Sequence, residues 1–106
     1  MVQGIRAVIG ESSAFPEGQL VARVAAGHSL IAVRRAGRVL VFLDQCTHQP
    51  IPLSDFGELK EGLLICHAHG GVFDLDLGGK AVRNPPCEAL KAVACSEEAG
   101  LVYVSF

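Results

Sequence analysis

The amino-acid sequence predicts an all-β protein, and two features of the chain favour this fold class. Glycine and proline interrupt the sequence about every eight to twelve residues, and the segments between them are short and rich in Val, Ile, Leu and Ala, as in strands joined by turns. No apolar pattern of helical period persists for about twelve residues. The 106 residues fit one domain, so we expect a single domain over residues 1–106.

Each predicted strand is a short apolar run between turn residues. The nine predicted strands cover residues 4–9, 19–24, 29–34, 38–44, 63–66, 72–76, 80–83, 90–96 and 101–105. Tight turns are expected at 35–37, where Gly37 is free to take positive φ, at 78–79, and at 97–100. Residues 45–57 remain as the one long irregular segment, and long loops in compact domains usually carry function.

Composition and charge exclude several classes of function. Half of the residues are hydrophobic and only 19% are charged, which argues against a disordered chain. The formal net charge is -2 and the basic residues are scattered, so nucleic acid is not an expected partner. The longest apolar runs are far shorter than the roughly 20 residues that cross a bilayer, so no membrane span is expected. No secretion signal is visible, so we expect a cytoplasmic location.

Two groups of metal-ligating residue types stand out. Cys46 and His48 form one group, and Cys66, His67 and His69 form the other. The seventeen residues 49–65 separate the two groups. Each group lies where a predicted strand runs into a loop, so two neighbouring loops could enclose a metal centre. Thiolates and imidazoles suit an iron-sulfide centre. They also suit tetrahedral zinc, although the ligand order and helix of a zinc finger are absent.

At these residues the chain resembles the Rieske [2Fe-2S] family, whose pattern is CxH, a spacer of similar length, CxxH, and then an aromatic residue and Asp. The matching residues are Cys46-Thr47-His48 and Cys66-His67-Ala68-His69-Gly70-Gly71-Val72-Phe73-Asp74. The resemblance covers nearly the whole chain, and residues 84–91 also look like the ferredoxins of bacterial aromatic ring-hydroxylating dioxygenase systems.

The resemblance implies a Rieske fold of antiparallel, sandwich-like β-sheets. A small cluster-binding subdomain of two loops, about residues 44–75, would be inserted in a basal β domain. One Rieske-type [2Fe-2S] cluster is implied, with Cys46 and Cys66 on one iron and His48 and His69 on the other.

His67 occupies a position where the family commonly has proline, which makes it a second candidate ligand. We prefer His69, because it matches the CxxH spacing. The resemblance also implies that the histidine-bound iron lies near the surface, so residues 49–52 and 70–71 are expected to form a docking face.

The function implied by the resemblance is one-electron transport rather than catalysis. The protein would accept electrons from a flavin-containing NAD(P)H reductase and deliver them to a terminal Rieske oxygenase, working as a monomer. The alternative is a small Rieske-like subunit of a nitrite reductase-type complex. High-potential relatives have a Ser and a Tyr that donate hydrogen bonds where this chain has Gly71 and Phe73, so we expect a midpoint potential in the lower part of the Rieske range.

The remaining polar and thiol side chains are expected to be structural. Cys87 and Cys95 are interpreted as small buried hydrophobes. His28 is interpreted as a surface residue in the turn 26–29. Glu97 and Glu98 are interpreted as a solvated hairpin tip rather than an acid/base pair.

Overall fold

The strands of the protein form two antiparallel sheets in a computed structural model that describes residues 5–45, 52–67, 70–83 and 88–106. The strands of these residues are β1 (Arg6–Glu11), β2 (Leu20–Ala25), β3 (His28–Arg35), β4 (Arg38–Leu43), β5 (Gly57–Lys60), β6 (Leu63–Cys66), β7 (Gly71–Asp74), β8 (Lys80–Arg83), β9 (Ala92–Glu98) and β10 (Leu101–Ser105). A six-stranded sheet has the order β1-β10-β9-β4-β3-β2, and a four-stranded sheet has the order β5-β6-β7-β8.

The predicted all-β class is confirmed, and helix is confined to short pieces. One turn of α-helix, α1 (Leu53–Phe56), precedes β5, and 3₁₀ turns occur at Ser12–Ala14 and Leu75–Leu77. All nine predicted strands form, with ends that differ from the prediction by at most two residues. Residue 4, the start of the first predicted strand, lies outside the described residues. Within the described ranges, no helix is long and apolar enough to cross a membrane.

The prediction of a wholly irregular segment over 45–57 is wrong in its second part. Of this segment the structure describes Gln45 and residues 52–57, which contain α1 and the first residue of β5. The helical turn forms because Leu53 is fully buried and holds it against the core. The strand β5 was not predicted, because its Glu58 and Lys60 are charged, as is common on an edge strand with low intrinsic strand propensity.

Two predicted turns are confirmed in position, and one is wrong in kind. Ala36 and Gly37 connect β3 to β4 with φ values of 52° and 80°. Ala99 and Gly100 connect β9 to β10 with φ values of 51° and 81°. Residues 78–79 are not a tight hairpin, because the 3₁₀ turn Leu75–Leu77 also lies between β7 and β8.

Glu97 and Glu98 are exposed, as expected, but they are the last two residues of β9, and the tip of the hairpin is formed by Ala99 and Gly100. Glu97 pairs with Arg34 at 2.7 Å, and Glu98 pairs with Arg6 at 2.8 Å. The first pair joins β9 to β3, and the second joins β9 to β1. The strand continues to its last glutamate because both carboxylates have partners on the same sheet.

The buried side chains of the described residues form two clusters. The first, which we call the six-strand core, comes from the six-stranded sheet and its loops: Ile9, Phe15, Ala25, Leu30, Ala32, Val39, Val41, Val102 and Val104. The second, which we call the shared core, lies between the sheets: Ile31, Val33, Phe42, Leu53, Leu64, Cys66, Phe73, Leu75 and Leu90. Opposite faces of β3 therefore contribute to the two clusters, since side chains alternate along a strand.

Candidate metal centre

Cys66 is the predicted ligand whose surroundings the structure describes. It is the last residue of β6 and is 0% exposed within the shared core. Its opposite residues are Gly57 on β5 and Gly71 on β7. Glycine has no side chain, so neither of these two positions places one beside the thiol.

The backbone around Cys66 is fixed on both sides. The amide of Gly70 donates to the Cys66 carbonyl at 2.7 Å, which closes the turn into β7. A Cβ at Gly57 would lie only 2.5 Å from the Leu53 carbonyl oxygen of α1 and 3.0 Å from the Leu64 side chain of β6, so the packing there requires glycine. The thiol therefore lies on a rigid strand end, as a preorganised ligand requires.

His67, the second candidate in the same loop, is engaged elsewhere. Its Nε2 lies 2.6 Å from a carboxylate oxygen of Glu58, and its side chain is 58% exposed. Its amide donates to the Phe56 carbonyl at 2.8 Å. A ring that shares a hydrogen bond with a surface carboxylate is held at the protein surface, beside the buried Cys66.

The other predicted ligands, Cys46, His48 and His69, lie outside the described residues, as does Cys87. Among the residues that are described, no three His, Cys, Asp or Glu side chains come together as a metal site would need.

The two ends of the first ligand loop are joined by a contact that sequence reasoning missed. β4 ends at Leu43, and the carboxylate of Asp44 accepts hydrogen bonds from the Ser54 amide at 2.8 Å and the Ser54 hydroxyl at 2.5 Å. The two residues are ten positions apart, so no local pattern links them. One signal was present in the sequence. Pro52, which precedes the helical turn, has no side-chain hydrogen-bonding group, so a side-chain cap for the turn has to come from another residue.

The surface beside Cys66 is partly apolar. Pro52, Phe56 and Gly70 are exposed, Phe56 by 45%, and the exposed His67 is joined to Phe56 by its amide hydrogen bond. The predicted docking residues 49–51 lie outside the described residues, whereas Gly71 is buried in β7.

The two remaining predictions for single side chains are partly confirmed. Cys95 is half-buried, packs against the six-strand core, and donates from Sγ to the Val39 carbonyl at 3.3 Å. Burial raises the pKa of the Cys95 thiol. His28 is exposed as expected, but it begins β3 rather than lying within the turn, and its ring stacks on Phe106 with centroids 4.6 Å apart.

The residues that the chain offers fit an iron-sulfur centre. Two cysteines and two histidines with this spacing supply thiolate and imidazole, the donors that such a centre takes. Cys66 is fixed at a strand end between two glycines, in an apolar core that keeps water from the thiolate side. Fold and donor set together define an all-β metal-binding protein.

Comparison with known proteins identifies the family. A family model described as the Rieske [2Fe-2S] domain matches residues 6–94. The chain belongs to this family, and its cofactor is one Rieske-type [2Fe-2S] cluster.

Individual relatives are similar over most of the chain. The ferredoxin component of the alkene monooxygenase system of Xanthobacter autotrophicus is 28% identical over 95 residues, covering 90% of this chain and 70% of that protein. The biphenyl dioxygenase ferredoxin subunit of a Pseudomonas species is 37% identical over 70 residues, covering 66% of this chain and 63% of that subunit. A chain of the solved complex of reduced oxygenase and oxidized ferredoxin in carbazole 1,9a-dioxygenase has a TM-score of 0.83 and 25% identity, covering 95% of this chain and 93% of that one.

Proposed function

We propose that this protein is the one-electron carrier of a multicomponent oxygenase system. It receives electrons from a flavin-containing NAD(P)H reductase and delivers them to a terminal Rieske oxygenase of the kind that hydroxylates aromatic rings. It acts as a monomer and does not itself catalyse the oxygenation; a cytoplasmic location stays a prediction from the sequence. The observation that carries the proposal is the match over 95% of this chain to a chain of a solved oxygenase and ferredoxin complex.

We propose Cys46, His48, Cys66 and His69 as the ligands of the cluster. The burial of Cys66 and the spacing of the other three support this set. When bound, the cluster takes up and releases one electron. Cys66 would hold the cluster from the apolar shared core, and Cys46, His48 and His69 would hold it from the two loops.

We propose that residues 44–75 form the cluster-binding subdomain, inserted in a basal domain built on the six-stranded sheet. This range begins at Asp44, which is tied to Ser54, and contains α1 and the strands β5 to β7. The amide of Leu75 donates to the Gly62 carbonyl at 2.9 Å and closes the far end of the range.

The proposed docking face consists of residues 49–52 and Gly70, extended by the exposed rings of Phe56 and His67; the buried Gly71 is left out of it. An exposed aromatic ring supplies apolar contact area at low entropic cost, which suits a partner that binds briefly. Transient electron-transfer encounters bury less than about 1,200 Å², so a face of this size is sufficient.

The test is analysis and reduction of protein purified under nitrogen. We expect about two irons and two acid-labile sulfides per chain and, after dithionite reduction, an EPR spectrum whose average g value lies below that of an all-cysteine cluster. Stopped-flow mixing should then show reduction by NADH with a ferredoxin reductase, and reoxidation by a terminal oxygenase.

Three results would overturn the proposal. A colourless protein that contains zinc would indicate a structural metal site. A chain without iron or sulfide would remove the carrier role altogether. Permanent co-purification with a large enzyme, without exchange in the stopped-flow assay, would indicate a fixed subunit of the nitrite reductase type.

A further inference from the structure

The helical turn α1 lies between the two loops that carry the proposed ligands, and it contacts the base of each. Leu53, its first residue, is fully buried in the shared core and anchors it to both sheets. Ser54 and Phe56, near its two ends, make the two contacts. A rigid anchored element that is hydrogen-bonded to each loop fixes the position of the loops relative to each other.

At the first loop, the contact is the carboxylate of Asp44. The first amides of a helical turn have no partner within the turn. The Pro52 carbonyl accepts from the Asp55 and Phe56 amides, but Pro52 has no side-chain acceptor for the Ser54 amide. Asp44 accepts from the Ser54 amide and hydroxyl together, and its own amide donates to the Ser29 carbonyl at 2.9 Å on β3. Asp44 therefore joins the six-stranded sheet to α1 and closes the loop that contains Cys46 at its base.

At the second loop, the contact is between backbone atoms. The Phe56 carbonyl, at the other end of α1, accepts from the His67 amide at 2.8 Å. His67 directly follows Cys66, so this bond holds the chain where it leaves β6 and enters the loop that contains His69.

We propose that Asp44 and Ser54 are positioning residues that hold α1 as a brace between the two ligand loops, so that a change at Asp44 loosens the second loop as well as the first. This inference rests on the proposed ligand set. Neither side chain touches the cluster in this proposal; both act through α1.

The test compares the wild-type protein with Asp44→Ala, Asp44→Asn and Ser54→Ala, each with its cluster as purified. The rate of iron loss to excess chelator should rise about tenfold or more in Asp44→Ala, because hydrogen bonds to a carboxylate are among the stronger ones in proteins. Asp44→Asn keeps an acceptor for the Ser54 amide and should lie between Asp44→Ala and the wild type. The EPR lines of reduced Asp44→Ala should broaden, because loosened ligands take a range of geometries.

The matched control is Asp76→Ala, which removes the pair that Asp76 forms with Arg35 at 2.9 Å, away from α1. It should leave the rate of iron loss and the EPR line widths at wild-type values. Equal iron loss in Asp44→Ala and Asp76→Ala, at similar melting temperatures, would overturn the proposal.

Amide hydrogen exchange on the same purified proteins tests the coupling without a signal from the cluster. In Asp44→Ala the amides of both Ser54 and His67 should exchange faster than in the wild type, while Ala32 in the six-strand core stays protected. Faster exchange at Ser54 with unchanged exchange at His67 would mean that α1 does not connect the loops. A wild-type chain without iron would overturn the proposed function, whereas this exchange measurement would still decide on the brace.

Discussion

The two sheets differ in how they are stabilised. The six-stranded sheet encloses the six-strand core with residues of its own strands and loops. The four-stranded sheet, with strands of four residues each, packs into the shared core, to which β3 and β4 contribute Ile31, Val33 and Phe42. Such short strands bury too little area to be stable alone.

This difference places Cys66, the proposed metal ligand, in the region that depends on packing between the sheets. Because Cys66 lies in the shared core, a loss of buried apolar packing there should also disturb this proposed ligand. A substitution in the six-strand core, in contrast, should affect the iron-sulfur cluster only by lowering the stability of the whole protein.

The largest effect is expected from truncating a buried phenylalanine in either core. Phe73 in the shared core and Phe15 in the six-strand core are 0% and 1% exposed, so replacement by alanine should cost about 3–5 kcal/mol of the free energy of unfolding in each case. Urea unfolding followed by circular dichroism measures this loss. Only Phe73→Ala should also speed the loss of iron under conditions where both variants remain folded.

Phe56→Ala provides the control, because that ring is 45% exposed and should contribute much less to stability. If Phe15→Ala and Phe73→Ala released iron at the same rate, the two cores would not be separate in function.

A smaller effect is expected from two neighbouring glycines that differ only in the space around them. Gly78 and Gly79 have φ values of 73° and 86°, so alanine is strained at both positions, by about 1 kcal/mol. A Cβ at Gly78 would meet nothing within 4 Å, whereas one at Gly79 would lie 2.8 Å from the Leu90 Cβ and 3.0 Å from the Phe42 ring. Gly79→Ala should therefore cost about 1–3 kcal/mol more than Gly78→Ala.

Thermal or urea unfolding of the two glycine variants checks this difference. Equal losses would mean that the shared core near Leu90 and Phe42 can shift to accept a methyl group, and that the junction of the sheets is looser than the structure indicates.

The sequence predicted the six-stranded sheet better than the four-stranded one, for a physical reason. Strands such as β3 and β4 carry buried apolar runs that are recognisable without knowledge of their partners. β5 was missed, because its Glu58 and Lys60 form a strand only through pairing with β6.

The candidate site was predicted from residue types and spacing, but its support was not. Cysteine and histidine are chemically distinctive, so their pattern is visible in the sequence. The Asp44 contact to Ser54 depends on how the chain returns after ten residues, and Asp and Ser are too common to indicate such a contact. The same holds for Glu97, whose partner Arg34 lies 63 positions away.

The midpoint potential tests whether the four-stranded sheet sets the properties of the cluster. Gly71 and Phe73 of β7 have no hydroxyl groups, and Phe73 is fully buried in the shared core. Fewer hydrogen bonds to the centre stabilise the reduced state less, so the potential should lie in the lower part of the Rieske range of about -150 to +300 mV. A redox titration that gives a midpoint above about +100 mV would contradict this expectation.

The smallest effect is expected from two ion pairs, one within the six-stranded sheet and one between the sheets. Arg34 lowers the pKa of Glu97, through a hydrogen bond above all, and Arg35 lowers that of Asp76 in the same way. A carboxyl group whose pKa is lower in the folded state binds fewer protons there, so its stabilisation is present above the unfolded pKa and is lost as the pH falls through the folded one. At pH 7, Glu97→Gln and Asp76→Asn should therefore melt about a few degrees below the wild type.

That difference in melting temperature should begin to shrink as the pH falls below about 4, where unfolded carboxyl groups take up protons, and should vanish only once the pH has fallen through the lowered pKa of the folded groups. Glu97→Gln should have the larger effect, because water screens a more exposed ion pair more strongly. The side chains of Arg34 and Glu97 are 16% and 31% exposed, whereas those of Arg35 and Asp76 are 28% and 48% exposed. Thermal unfolding from pH 7 to pH 3 measures both effects. A larger loss in Asp76→Asn would mean that the pair of Arg35 and Asp76 contributes more to stability than the pair of Arg34 and Glu97. The four-stranded sheet would then be held to the rest of the protein by charge as well as by the shared core.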